Sequence, residues 1–225
     1  KNAHKNVVIS GIAGNPTKEI MNNIVAEISD NMTKTTDIYS KTIKATLDED
    51  RKTLREMVRE SNDLFYNARE RKYSVLTTLQ KLQDNYVEAG HFYVQVVDYI
   101  SEITKALVHI TRPCFEHIDN NHKGMSEEQV ADLLKINDDV SEIYTKINQM
   151  LVSNAYTDLD EIIEMRDALL DTISEAIKHQ LKRIKTKSTS TRESMLYLTI
   201  LNETKPLVLQ SRNLLKSQRA FVENQ

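Results

Sequence analysis

Apolar residues recur along this chain at the three- and four-residue spacings of amphipathic α-helices. The first stripe predicts a helix over about residues 16–47. Asn15 followed by Pro16 is a typical helix start, since proline fits the first helical turn. The apolar residues of this stripe are Ile20, Ile24, Ile28, Met32, Tyr39, Ile43 and Leu47.

Five further stripes predict five further helices. Helix two is expected to run to about residue 86, and Gly90 is expected to break the chain before helix three. Pro113 is expected to kink or shorten helix three and Pro206 to bend helix six, because an interior proline removes a backbone hydrogen bond. Residues 120–124, with the sequence NNHKG, form the clearest predicted loop.

The last three helices have recognisable boundaries. Ser126 and Gln129 have the spacing of a capping box, which predicts the start of helix four. Thr157 or Asp158 is expected to cap helix five, and the basic, hydroxyl-rich residues 185–192 are expected to form a loop before helix six. Apolar residues of helices three to six that are predicted to face the core include Val94, Leu134, Leu181, Ile184, Met195 and Leu209.

The chain contains an internal repeat. Residues 104–108 (TKALV) and 204–208 (TKPLV) agree at four of five positions, at an offset of 100. Residues 38–41 (IYSK) and 143–146 (IYTK) agree at three of four, at an offset of 105. Helix one therefore corresponds to helix four, and helix three to helix six. We predict an all-α fold of two tandem three-helix bundles with long antiparallel helices.

The predicted domain organisation follows from the repeat. Residues 1–15 are expected to be a tail or linker, residues 16–124 the first bundle and residues 125–225 the second. The sequence begins at Lys1 without a methionine, which suggests a segment of a larger protein.

Composition narrows the class of protein. With 28% charged residues, 40% hydrophobic residues and a net charge of −3, the chain is typical of a globular protein and not of a nucleic-acid-binding one. It holds no run of 18 apolar residues, so no membrane span is expected. Cys114, the single cysteine, predicts a reducing compartment and a core position.

Acidic residues suggest a metal site on helix three. Asp98 and Glu102 are four residues apart and share a helix face, with His91 and His109 close to it. Oxygen ligands with an imidazole suit a divalent or ferric ion. The alternative is a polar edge beside the core that binds nothing.

Two charged segments mark helix five and the loop after it. Residues 178–192 contain six lysines and arginines and no acid, so they could meet anionic lipid headgroups or a phosphate-bearing ligand, or form only a charged helix end. An acidic stripe precedes them, and it could bind cations or a basic partner or face solvent. The stripe consists of Asp160, Glu164, Asp167, Asp171 and Glu175.

The motifs of common enzymes are missing. The sequence has no phosphate-binding glycine loop, no GxSxG and no HExxH. A di-metal enzyme in a helical bundle needs Glu-x-x-His pairs on two helices, and no such pair is expected in a helix here. We therefore predict a binding or regulatory protein and not an enzyme.

The acidic pairs resemble a motif of the PhoU family, whose two three-helix units carry an acid-x-x-x-acid pair on their second and third helices. Residues 98–102 (DYISE) resemble the third-helix motif of the first unit, and residues 166–171 (RDALLD) the second-helix motif of the second unit. Residues 60–64 and 198–202 depart from the motif. The metal ligands that this resemblance implies are Asp98, Glu102, Asp167 and Asp171, with His91 and His109 as additional candidates.

Longer segments resemble the C-terminal extension of bacterial inorganic phosphate transporters of the PiT type. They are residues 92–99, 109–113, 115–124 and 201–205, within a likeness that covers about 40–225. The resemblance implies a regulatory domain on the cytoplasmic side of the inner membrane. Its partners would be the membrane permease portion of the same chain and, as a further option, a second copy. The alternative hypothesis is a helical signalling or scaffold bundle with protein partners only.

Overall fold

The computed structural model describes residues 16–80, 87–187 and 190–223, and this part of the chain is built of six α-helices without a strand. The all-α prediction is therefore confirmed. The helices are α1 (Pro16–Leu47), α2 (Arg51–Gln80), α3 (Val87–Asp119), α4 (Glu127–Ser153), α5 (Leu159–Lys185) and α6 (Thr191–Glu223).

The helices form two groups of three. α2 packs against α1 and α3, and α5 packs against α4 and α6, so each group is a three-helix bundle with one outer helix. The two bundles meet through equivalent helices, because α1 packs on α4 and α3 packs on α6. Among the described residues, the contacts of α3 with α6 and of α3 with α2 are both extensive. The helices that the sequence repeat matches are thus the ones that meet between the two groups.

One continuous core joins the two bundles. Buried apolar side chains from all six helices belong to a single cluster, and the largest fully buried ones include a tyrosine in each of α1, α4 and α6. Burying a large apolar side chain contributes about 1.5–3 kcal/mol. Those tyrosines are Tyr39, Tyr144 and Tyr197. The proposed domain boundaries at 16–124 and 125–225 stay a prediction.

Several local boundary signals agree with the structure, but Asp158 at the start of α5 makes no capping hydrogen bond with its side chain. The described helix α1 has the predicted bounds, and residues 120–126 connect α3 to α4. At the start of α4, Ser126 Oγ accepts from the Gln129 backbone N–H at 3.3 Å, while Gln129 Oε1 accepts from the Ser126 N–H at 2.9 Å. This confirms the capping box. The predicted tail, residues 1–15, and the predicted end of helix two, residues 81–86, lie outside the described residues.

Gly90 and the prolines do not end helices. α3 begins at Val87, so Gly90 lies within its first turn, and the predicted break there is wrong. A single glycine costs only about 1 kcal/mol in a helix, which tertiary packing readily offsets. α3 continues six residues beyond Pro113 to Asp119, and α6 runs through Pro206. Pro113 therefore does not shorten α3 at its own position.

Some residues of the predicted core faces are exposed instead. The sequence pattern identifies an apolar stripe, but which part of it is covered depends on where neighbouring helices lie. The exposed members are Val94, Leu134, Leu181, Ile184, Met195 and Leu209. No described helix combines the length and the apolar content that a membrane-spanning segment requires.

Candidate functional site

The predicted acidic pair on α3 faces a lysine. Lys72 Nζ of α2 donates to Asp98 Oδ1 at 2.9 Å, and the Asp98 side chain is about half exposed. This hydrogen bond and the charge of Asp98, with a smaller contribution from Glu102, raise the pKa of Lys72. The carboxylates thus stabilise a cation of the protein's own.

The acidic pair on α5 lies on a different outer surface. Asp167 and Asp171 are exposed, and Arg166 donates to Asp167 Oδ1 through Nε at 3.1 Å and through Nη2 at 2.6 Å. α5 packs against α4 and α6, whereas Asp98 and Glu102 belong to α3. The fold therefore does not bring the two acidic pairs together.

The candidate histidines do not complete a ligand set. His91 is exposed, and His109 Nδ1 lies 3.7 Å from Glu203 Oε1 of α6. Across the described residues, no three His, Cys, Asp or Glu side chains are grouped so that they could hold a metal ion. The residues as placed do not fit the metal cluster that the resemblance implies, and the ligand assignment stays a prediction.

One motif was missed because of the expected break at Gly90. Glu88 and His91 have the Glu-x-x-His spacing, and α3 begins before both of them, so this pair does lie in a helix. The sequence contains no second Glu-x-x-His pair. A di-metal site of the helical-bundle type needs two such pairs, so this single pair does not support a di-metal enzyme.

Buried polar contacts cross between the two halves instead. Thr204 Oγ1 gives its single proton to the Ile200 carbonyl at 2.7 Å, so Tyr39 OH of α1 must donate to Thr204 Oγ1 of α6 at 2.9 Å. Burial is the main reason that the pKa of Tyr39 is raised well above its ordinary value. The phenol therefore stays neutral and acts as a fixed donor.

The corresponding tyrosine of the second half makes a different contact. Tyr144 OH of α4 donates to the Leu207 carbonyl of α6 at 2.8 Å within the second half, so both repeated tyrosines reach α6 but only the Tyr39 bond crosses between the halves. A further contact joins α4 to α1, where Asn137 Nδ2 donates to Ser40 Oγ at 3.3 Å. The interface of the two halves is thus tied by polar groups that are not related by symmetry.

This interface is the functional candidate that sequence reasoning missed. The signal was present, since Tyr39, Tyr144 and Thr204 all belong to the repeated segments. Hydroxyl groups that recur within an apolar stripe need buried partners. The pattern does not reveal which helix supplies those partners, and the structure shows that α6 supplies both.

Comparison with known proteins shows which solved structure this architecture resembles. No protein-family model matches the chain, and no curated protein gives a significant match to it. Among solved structures, the crystal structure of PhoU from Pseudomonas aeruginosa superposes with a TM-score of 0.74, covering 93% of this chain and 98% of that one, at 13% sequence identity. The chain has the PhoU fold.

Within this PhoU fold, a buried series of side-chain hydrogen bonds joins the start of α4, the end of α5 and the start of α6. Gln129 Nε2 of α4 donates to Gln180 Oε1 of α5 at 3.0 Å, and Gln180 Nε2 donates to Ser194 Oγ of α6 at 2.9 Å. Both glutamine side chains are fully buried. The network fixes the rotation of α5 relative to α4 and α6, because every hydrogen bond lost there would leave a buried polar group unpaired.

A contact between His122 and Arg192 joins the α3–α4 connection to the start of α6. Arg192 Nη1 lies 3.1 Å from His122 Nε2, and since arginine only donates, this imidazole nitrogen must be unprotonated. The rings of His117 and His122 meet edge to face at 5.2 Å. Burial, then Arg192 and His117, lower the pKa of His122. This contact therefore weakens when His122 is protonated.

Proposed function

We propose that this chain is a regulatory module of phosphate uptake that acts without catalysing a reaction. The observation that carries the proposal is the PhoU fold, which extends over nearly the whole chain. The transporter-like segments between residues 91 and 124 support a more specific form of the proposal, in which the module acts on a phosphate permease portion of the same chain at the cytoplasmic side of the membrane.

The mechanism that fits this structure is conformational. Two halves joined through α1 with α4 and α3 with α6 can exist in more than one relative arrangement, and a ligand or partner shifts their balance only if it binds one arrangement better. Polar contacts such as Tyr39 with Thr204 and Asn137 with Ser40 are directional, so they stabilise one arrangement specifically.

The test is phosphate uptake in cells that express the natural full-length protein. Removing the coding sequence of this segment should abolish the dependence of radioactive phosphate uptake on the phosphate supply of the preceding culture. An unchanged dependence, with any remaining part of the protein present at its normal level, would refute the proposal.

Metal binding is a separate part of the same proposal and is tested by its own experiment. Purified protein would be analysed for bound divalent and ferric ions, beside the Asp98→Ala variant. Bound metal that disappears with Asp98→Ala would support the predicted ligands despite their contact with Lys72. Metal content equal in both proteins would remove Asp98 from the ligand set and leave the regulatory proposal intact.

A second candidate function is a helical signalling or scaffold bundle that contacts proteins only. Exposed apolar side chains on the outer helix α2 favour it: Tyr66, Tyr73 and Leu76 are all more than half exposed. Exposed aromatic groups are typical of protein contact surfaces. The uptake experiment separates the candidates, since a scaffold with unrelated partners would leave the phosphate response unchanged.

A further inference from the structure

The apolar stripe of α5 leaves the core before the helix ends. Ile173 is fully buried and Ala176 nearly so, but Leu181 is 53% exposed and Ile184 is 41% exposed. Both side chains lie on the stripe that the sequence pattern assigns to the core. Large aliphatic side chains exposed together at the end of an outer helix indicate a surface that contacts something apolar.

The rotation of α5 explains the exposure of Leu181. Gln180 is fully buried between Gln129 and Ser194, and it occupies the inward position that an aliphatic residue would otherwise take. Successive residues of a helix point about 100° apart, so burying Gln180 turns Leu181 to the side of the buried face. Ile184, four residues after Gln180, stays near that face and is exposed in the last turn of α5, which ends at Lys185.

Lysines surround the exposed apolar residues. Lys182, Lys185 and Lys187 are exposed, and the structure gives them no ion pair with any residue of the described ranges. Two other cations of this segment are already matched by acids, because Lys178 pairs with Glu175 at 2.9 Å and Arg183 with Glu128 at 3.3 Å. No acid occurs between residues 178 and 192.

The start of α6 adds a third exposed apolar residue. Ser194 receives the hydrogen bond from Gln180, so the first turn of α6 lies beside the last turns of α5. The next residue, Met195, is 58% exposed. We define Leu181, Lys182, Ile184, Lys185, Lys187 and Met195 as the α5–α6 surface.

We propose that the α5–α6 surface binds an anionic lipid bilayer. Its composition is that of an interfacial membrane site, in which apolar side chains enter the headgroup boundary and lysines with long aliphatic stems contact anionic headgroups. Charge complementarity favours an anionic bilayer, because none of the three lysines forms an ion pair among the described residues, although the charge of Lys182 does help to lower the pKa of Glu175.

Vesicle co-sedimentation of the whole chain tests the charge component. The protein should bind vesicles of phosphatidylcholine mixed with phosphatidylglycerol, bind pure phosphatidylcholine vesicles much less, and lose binding as salt rises. The variant Lys182→Gln/Lys185→Gln/Lys187→Gln should lower the partition coefficient on the order of 100-fold. The matched control, Lys52→Gln/Lys105→Gln/Lys216→Gln, removes the same charge from exposed sites elsewhere and should bind within about threefold of the parent chain.

The apolar component has its own variant pair. Leu181→Asn/Ile184→Asn should lower the partition coefficient roughly tenfold, whereas Leu76→Asn, at a residue 68% exposed on α2, should not change it. All these positions are exposed, so circular dichroism should show the parent helix content. Equal binding to neutral and anionic vesicles, parent-like binding by the triple lysine variant, or capture of an acidic protein without any vesicle binding would overturn the proposal.

Discussion

At the scale of single residues, the buried hydroxyl groups contribute more to the stability of this fold than the acidic pairs do. Tyr39 OH donates to Thr204 Oγ1 inside the core, whereas Asp98 and Asp167 each meet a basic side chain at the surface. Exposed ion pairs contribute little to stability. A buried hydroxyl that loses its partner costs considerably more.

The Tyr39 contact can be measured by urea unfolding. Tyr39→Phe removes one buried hydrogen bond and should lower the free energy of unfolding by about 1 kcal/mol. Thr204→Val should cost about 1–3 kcal/mol, because it leaves the Tyr39 hydroxyl buried without its acceptor. Tyr66→Phe, at an exposed site, serves as the control. Equal and negligible effects of all three variants would show that the contact does not form.

His122 provides a test of the contact between the α3–α4 connection and α6. Its pKa should lie below 6.5 because of burial and the charge of Arg192, and Arg192→Gln should raise it. A lowered histidine pKa means that the unfolded chain binds the proton more readily. Stability should therefore be lost as pH falls through 6.5 toward the pKa of the folded protein. Histidine NMR titrations would show this shift, and an unchanged pKa in Arg192→Gln would contradict the contact.

At the scale of helices, the sequence patterns locate elements better than they locate faces. The bounds of α1 and the capping box at Ser126 follow from local chemistry, so they could be predicted. The break predicted at Gly90 is wrong because helix propensity has a smaller effect on structure than tertiary packing. The exposure of Leu181 and Ile184 could not be predicted, because it depends on how far α4 and α6 cover the last turns of α5.

The polar chain through Gln180 predicts a large effect of a single substitution. Gln129→Ala removes the side-chain half of the capping box and leaves Gln180 Oε1 without its donor, so the free energy of unfolding should fall by about 2–4 kcal/mol. Gln149→Ala, on an exposed face of the same helix, should change it by less than about 0.5 kcal/mol. Thermal or urea unfolding measures both, and equal losses in the two variants would argue against the network.

At the scale of the whole molecule, the sequence repeat predicts which helices correspond to each other, but not which helices are in contact. Matching segments identified α1 with α4 and α3 with α6, and the structure pairs these same helices across the interface. The acid spacing could place Asp98 and Glu102 on one helix face. It could not show that Lys72 faces them, or that α5 packs away from α3, because those facts depend on packing between helices.

The proposed conformational mechanism requires the two halves to move relative to each other when phosphate uptake is regulated. Ser40→Cys with Asn137→Cys would place two thiols where these side chains now touch at 3.3 Å, between α1 and α4. The single native cysteine, Cys114, is buried with its pKa raised to about 12, so it should not compete.

The decisive measurement is phosphate uptake in cells that express the full-length protein with this cysteine pair, under oxidising and reducing conditions. With the disulfide confirmed by electrophoresis, uptake should no longer respond to phosphate supply, and a reductant should restore the response. A normal response with the disulfide fully formed would contradict the claim.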